Sequence, residues 1–431
     1  MASRNVGRRR ADHKANRSRR LDIPAGHGHG HGHGHGDHVV DTSVVDSDAV
    51  VARRVRIVVA AVLVPLIAAA VIAMIVLWPG SGVKVASYQT ETARGEVVSI
   101  KACADAKDQC DEATVKLTSG PDKGQLAPVQ IPKTGQVAIP VEVGQSVMLG
   151  VQSDAKTIAG RYVYVDHDRT MPLLLLAGLF AIAVVALSRW RGFAALIALA
   201  VTAVMLTQFI LPAILSGSNP LLVAVVGGAV IMTIAVYLTH GINAESSIAL
   251  SGTIAALGMT VGLGWFFTKF CQLSGLASEG ASAAQQLAPN IDLTGLLVAG
   301  MVIGALGVLD DVTVTQAAAV WELSAANPSA SRRELIGAGL RIGRTHVASV
   351  VNTLVLAYAG AALPVLLVFA IQDLPSRSII STEMVAMEVV RGLVGSLGII
   401  AAVPLTTALA AMAVADRSRD LVTTEPEHLG A

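Results

Sequence analysis

Residues 57–78 read IVVAAVLVPLIAAAVIAMIVLW, a run without a single charged side chain. Crossing the hydrocarbon of a bilayer takes about 20 apolar residues, so this run is long enough to span. It also exceeds the roughly 7–15-residue core of a signal peptide. Arg53, Arg54 and Arg56 stand just before it. Basic residues collect on the cytoplasmic side of spans, which puts the amino-terminal flank inside and residue 79 outside.

The rest of the chain repeats the signal. Hydrophobic residues make up 53% and charged residues 15%, against about 25% charged in a soluble chain. From Met171 onward, further spans are expected over 171–188, 193–215, 221–239, 247–270, 294–317, 347–371 and 387–414. The loops test this assignment independently. Arg189 and Arg191, then Arg332, Arg333, Arg341 and Arg344, then Arg417 and Arg419 fall where an eight-span protein with both ends inside needs them. Segments 216–220 and 271–292 fall outside, the second without any Lys or Arg. The expectation is an all-α polytopic bundle of about eight transmembrane helices in the cytoplasmic membrane, with the lipid bilayer as its first partner. Aromatics are only 4%. The Ala- and Gly-rich remainder lets helices approach closely.

Residues 79–168 interrupt the pattern. Alternating stretches at 96–100, 113–117, 136–141, 146–151 and 162–165 are separated by turn signals such as Gly120-Pro121-Asp122 and Val143-Gly144. They predict a small extracytoplasmic β domain of about five strands. Cys103 and Cys110 fall within it. An oxidising compartment permits a bridge between them, and two free thiols in a loop is the alternative. The predicted organisation is a basic tail over 1–56, a first span over 57–78, the β domain over 79–168, a seven-helix membrane domain over 169–415 and a tail over 416–431.

The tail carries a second signature. His27, His29, His31, His33 and His35 alternate with Gly, and His38 follows. So polar a stretch cannot bury a core. Neutral imidazole suits Zn, Cu and Ni, so the tail reads either as a loose, multi-site binder of these metals or as a solvated linker. No other cofactor is expected. A net charge of +1 gives no reason to expect nucleic acid.

Chemistry concentrates in residues 304–316, GALGVLDDVTVTQ. The segment from Leu293 to Leu323 can form one helix, with Asp310 and Asp311 well inside it. A charged Asp at a helix centre costs roughly 2.5–3.5 kcal/mol on insertion scales, so two in a row do not face lipid. Asp311 and Thr315 are four apart and share a face with Glu322, a stripe expected to line the bundle interior. Thr313 and Gln316 lie in the same stretch. Three readings stand: acids at the interface of a helix ending near Leu309, an ion- or proton-binding carboxylate, or a structural ion pair with Arg341 or Arg344. Asp311 is the expected working residue, with Asp310 paired to Asn352 or Arg344.

A second polar cluster runs from Arg344 through His346 to Asn352 and Thr353. His346 reads as a proton shuttle, since an ordinary imidazole titrates near 6.5, or as an interfacial anchor. Two Leu-Pro steps, at Leu211-Pro212 and Leu363-Pro364, interrupt apolar segments. Broken helices mark transporter sites in some folds and are plain kinks in others. No phosphate-binding glycine loop, hydrolase elbow or HExxH motif is present, which argues against a self-contained ATPase or protease.

Tyr164-Val-Asp-His-Asp-Arg169, His240-Gly-Ile-Asn243, the 304–316 stretch and Gly343-Arg-Thr-His-Val-Ala-Ser-Val-Val-Asn-Thr-Leu-Val-Leu-Ala-Tyr358 together resemble the YibE/F family of bacterial membrane proteins, over about residues 85–415. The resemblance implies a polytopic protein with an external domain and points to transport, and it supplies no catalytic residues. The expected function is a transporter or permease of a small solute or ion, coupled to protons or cations through Asp310 or Asp311. The alternative is a non-enzymatic envelope scaffold whose external domain binds partner proteins.

Overall fold

The computed structural model describes residues 42–80, 91–103, 110–133, 140–152, 154–155, 157–277, 279–371 and 375–422. The histidines of the tail lie outside them. Helix α1 (Thr42–Val76) begins upstream of Ile57, so part of the segment assigned to the tail is helical. Five strands follow: β1 (Glu91–Ala102), β2 (Cys110–Leu117), β3 (Leu126–Pro132), β4 (Ser146–Val151) and β5 (Tyr162–His167), with the one-turn helix α2 (Ile158–Arg161) before the last.

The strands form one antiparallel sheet in the order β3-β2-β1-β4-β5. It curls so that its edges β3 and β5 approach each other. Alternate residues such as Val97, Val115, Val129, Leu149 and Tyr162 fill its concave core. Gly95 is required there, because a Cβ would fall on the Val115 side chain and the Lys116 carbonyl. Of the strand expected over 136–141, residues 136–139 lie outside the described residues, and Pro140 and Val141 have no regular structure. A strand that the sequence reading missed is β3, which Pro128 and Pro132 disguise. Proline is tolerated on an edge strand, where one side of the backbone needs no ladder partner. A disulfide joins Cys103 to Cys110.

After the sheet come α3 (Thr170–Met205), a π turn (Leu206–Ile210), α4 (Leu211–Leu215), α5 (Pro220–His240), α6 (Ala244–Phe270), α7 (Glu279–Leu287), α8 (Leu293–Ala326), α9 (Arg332–Ile371), α10 (Ser376–Ser381) and α11 (Glu383–Val422). Among the described residues, seven helical stretches are long and apolar enough to cross a membrane. One of them, Thr170–Leu215, has 46 residues, about 69 Å at 1.5 Å per residue and more than twice the hydrocarbon thickness. Arg189 breaks it, with φ 51° and ψ −125°. A Cβ on Gly192 would stand 2.5 Å from the Val184 carbonyl oxygen, whereas residues eight apart on a straight helix are about 12 Å apart. The chain therefore folds sharply back at Arg189 into two limbs, which match the separate spans expected at 171–188 and 193–215. The π turn precedes Pro212, which has no N–H to give an α-helical ladder. At Pro364 and Pro404 the helices run on.

Side-chain caps start three of the central helices: Asn219 accepts from Leu222 N, Asn243 from Ser246 N and Asp292 from Gly295 N. Roughly half of the spanning window is buried in α5, α6, α8 and α11, against 6% in α1 and α9 and none in α3. The first four make the centre of the bundle. Helix α6 crosses α11 through two reciprocal seats. A Cβ at Gly252 would fall on Thr406, and a Cβ at Gly398 would fall on Thr260. The two stretches read GTIAALGMT (252–260) and GIIAAVPLT (398–406), so the same pattern is used from both sides of an antiparallel contact.

Candidate functional site

Asp310 and Asp311 stand at the midpoint of α8, which continues to Ala326 rather than ending near Leu309. Neighbours on a helix point about 100° apart, and the bundle separates the two. Asp310 is half-buried, and its Oδ1 is closed to solvent without a hydrogen-bond partner. Asp311 is exposed, as are Thr315 and Glu322. The stripe expected to line the interior therefore lies on the outer face. The interior stripe is Asp310, Thr313 and Gln316, three apart in turn, with the last two fully buried. Asp310, not Asp311, is the inward carboxylate.

A hydroxyl from α6, a hydroxyl from α11 and a backbone carbonyl from α9 meet this stripe. Thr313 Oγ1 lies 2.6 Å from Thr253 Oγ1 on α6 and donates to the Asp310 carbonyl at 3.1 Å. Gln316 Nε2 donates to the Gly339 carbonyl of α9 at 2.9 Å and to Thr407 Oγ1 of α11 at 2.8 Å. Gly343 leaves room for that amide, since its Cβ would sit 2.8 Å from Gln316 Oε1. Thr253 and Thr407 escape a reading of the sequence because single threonines in apolar helices usually bond back to their own helix, as both of these also do.

Of the second expected cluster, only His346 comes near the first. Arg344, Asn352 and Thr353 are exposed on α9, and no hydrogen bond or ion pair links Asp310 to Arg341, Arg344 or Asn352. Thr353 bonds back to the Ser349 carbonyl. His346 comes within 3.4 Å of Thr315 Oγ1, on the outer face. Residues 332–346, whose arginines were counted among the loops, are the first turns of α9 itself. Among the described residues, no group of three or more His, Cys, Asp or Glu side chains could hold a metal ion.

Two further charged features lie at the opposite ends of these helices. Glu388 and Arg391, three apart on α11, pair at 2.7 Å and are each about a quarter exposed. An acid and a base at that spacing inside an apolar run are the signal that marks them. Glu383 Oε1 accepts from Ser274 N, Ser274 Oγ and Gly275 N, at 2.6, 2.7 and 2.9 Å, tying the turn after α6 to the start of α11.

In the sheet, polar groups find partners. Asp122 accepts from the Tyr162 hydroxyl and from Arg161, both at 2.8 Å, which holds its carboxyl below the ordinary carboxylate range. Burial, with the Asp122 bond second, pushes the Tyr162 hydroxyl up. His167 Nε2 lies 2.9 Å from Gln145 Oε1, and its Nδ1 lies 2.9 Å from the Tyr164 hydroxyl oxygen. Asp166 bonds Arg169, and Asp168 takes the Thr170 hydroxyl and N–H where the sheet leads into α3. Both carboxyls are held low by these bonds.

No curated protein and no solved structure matches the chain. The family model of the YibE/F-like proteins matches residues 176–416, more than half of the chain. The match takes in the 304–316 and 343–358 motifs. It leaves out the sheet and the 164–169 motif, which narrows the resemblance read over 85–415. The chain belongs to the YibE/F-like family of membrane proteins.

Proposed function

We propose that the protein is a transporter of a small solute or ion, with Asp310 as the group that binds and releases a proton or cation. The observation that carries this reading is the Asp310 carboxylate itself. It sits at the middle of a spanning helix, turned inward, with one oxygen closed off and unpartnered. Leaving a buried polar atom without a partner costs about 1–3 kcal/mol, and more for a charge, so its retention argues for use. An acid within a span is by default a functional-site candidate. The hydroxyls of Thr253 and Thr313 lie on the same interior face and offer oxygen to a cation. No bond-making chemistry belongs to this reading. Both termini are taken to lie on the cytoplasmic side of the cell membrane, with the sheet on the other side.

The test begins with substrate-accumulation profiling of a strain lacking the protein, which supplies a phenotype to complement. Asp310→Asn keeps size and hydrogen bonding while removing the titratable charge. It should express and insert normally yet fail to complement, whereas Asp311→Asn should complement fully. Restoration by Asp310→Asn would overturn ion coupling and shift the function to a scaffold built on the external sheet.

A further inference from the structure

One face of α8 stays uncovered although the helix lies at the centre of the bundle. Gly300, Gly304, Gly307, Asp311, Thr315 and Glu322 are all exposed, and steps of three, four and seven keep them on one side of a helix. A Cβ added at Gly300 or Gly307 would meet nothing within 4 Å. Helices α5 and α9 each pack on α8 but form no packed interface with each other. The uncovered face is therefore the floor of a furrow between them. At Gly304 the Tyr358 hydroxyl of α9 crosses this floor, since a Cβ there would stand 3.0 Å from it. At Thr315 the His346 ring of α9 comes to 3.4 Å. From α5, His240 comes within electrostatic reach of Asp311.

Hydrocarbon does not suit this floor. A charged Asp at mid-span costs roughly 2.5–3.5 kcal/mol against lipid, and acids within spans face either the bundle interior or water. The interior side belongs to Asp310, and Asp311 points away from it. No ion pair or hydrogen bond holds the Asp311 carboxylate among the described residues. Glu322 lies further along the same face by roughly 16 Å, about half the hydrocarbon thickness. The polar part of the furrow thus reaches from the membrane surface to its middle. Its charge is of one sign, because α8 carries three acids and no Lys or Arg. Arg191 and Glu245, which also act on His240, offset each other.

We propose that the furrow from Glu322 to Asp311 is filled with water and admits a hydrated cation to the middle of the membrane, beside Asp310. Water solvates Asp311, so that carboxylate needs no partner from the protein. The Tyr358 hydroxyl, two turns beyond Asp311 on the same face, closes the far end. As the approach to Asp310 the furrow rests on the transport reading. As a wet, acidic half-channel it does not.

The test is thiol labelling of the full-length protein in sealed vesicles. A Cys271→Ser background removes the free thiol and keeps Cys103 bonded to Cys110. Thr315→Cys, at an exposed position, is treated from each side with membrane-impermeant methanethiosulfonates, one carrying a trimethylammonium group and one a sulfonate. The cationic reagent should label from the Glu322 side only, about tenfold faster than the anionic one, the lower end of the enhancement in clefts of one charge sign. Gly307→Cys, in open space past Asp311, should show the same preference and repeats the test should Thr315→Cys misfold. Leu179→Cys, on the uncovered first limb of α3, should resist both reagents. Asp310→Asn should leave the labelling of Thr315→Cys unchanged while failing to complement, so that the furrow and the coupling role can fall separately. Thr315→Cys and Gly307→Cys as inert as Leu179→Cys, or labelled equally by the two reagents, overturn the proposal. So does an oxidant-induced disulfide between two copies through Thr315→Cys, which would assign the face to a second copy of the chain.

Discussion

The sheet and the helical bundle treat polar groups in opposite ways. In the sheet Asp122, Tyr162, His167 and Asp168 each meet a partner. In the bundle, Thr268, Asp310, Glu388, Arg391 and Thr406 each keep a buried polar atom that meets none, and these five are the whole set among the described residues. Water reaches the rim of a small sheet and can finish any bond the fold leaves open. Hydrocarbon cannot, so an unmet group there is a standing cost. Satisfied networks hold a shape. Unsatisfied ones, in a fold that is otherwise well packed, are where a ligand or a proton has something to gain.

The largest contrast should appear in chemical labelling. A hydrophobic carbodiimide reacts with carboxyls in apolar surroundings. Peptide mapping should find Asp310 modified, with Asp311 and the sheet acid Asp122 untouched. Modification of Asp311 in preference to Asp310 would reverse the inward and outward faces of α8 assigned above.

Next in size is the covalent tie in the sheet. The loop closed by Cys103 and Cys110 is short, with a sequence separation of 7. The chain-entropy estimate for such a loop is about 2–2.5 kcal/mol. Replacing both cysteines with serine should lower the sheet's melting temperature and leave that of the bundle in place. A uniform shift of both transitions would show that the two regions unfold as one.

Acid should also separate the regions. Asp122, Asp166 and Asp168 are all held below their ordinary value of 3.8 by hydrogen bonds in the folded sheet. A depressed folded value contributes stability that is present above the unfolded value and lost as pH falls through the folded one. The sheet should therefore keep its stability from neutral pH down to about 4 and lose it below. Hydrogen exchange across 91–167, corrected for the intrinsic rate, would read this. Loss of protection already between pH 7 and 5 would contradict it.

The same contrast decided what could be read from sequence. Spans were legible because uncharged runs and basic loops are coarse signals, and Arg189 with Arg191 marked the fold-back inside Thr170–Leu215. Strand β3 was hidden by Pro128 and Pro132, which lower strand propensity but are harmless at an edge. The interior face of α8 was illegible for a stronger reason. That helix is apolar on all sides, as a central span must be, so its pattern of Leu, Val and Ala names no inward direction. Asp311, Thr315 and Glu322 then looked as coherent a stripe as Asp310, Thr313 and Gln316. Only packing against Thr253, Gly339 and Thr407 distinguishes them.

The smallest effect probes how firmly that inner stripe is held. Thr253 and Thr313 share one short contact, while Thr253 also reaches the Ala249 carbonyl at 3.0 Å and Thr313 the Asp310 carbonyl at 3.1 Å. Two hydroxyl protons serve these three contacts, so one proton is always shared. Removing either hydroxyl frees the other to donate wholly to its own carbonyl. Thr253→Val and Thr313→Val, both near-isosteric, should therefore each cost only about 0.6 kcal/mol, the average for hydrogen bonds between membrane helices. The double variant should cost little more than one single, because the shared contact is lost at the first substitution. Reversible unfolding in mixed detergent would measure all three. A Thr313→Val cost well above 1.7 kcal/mol, the largest such value in membranes, would mean that its hydroxyl supports Asp310 directly.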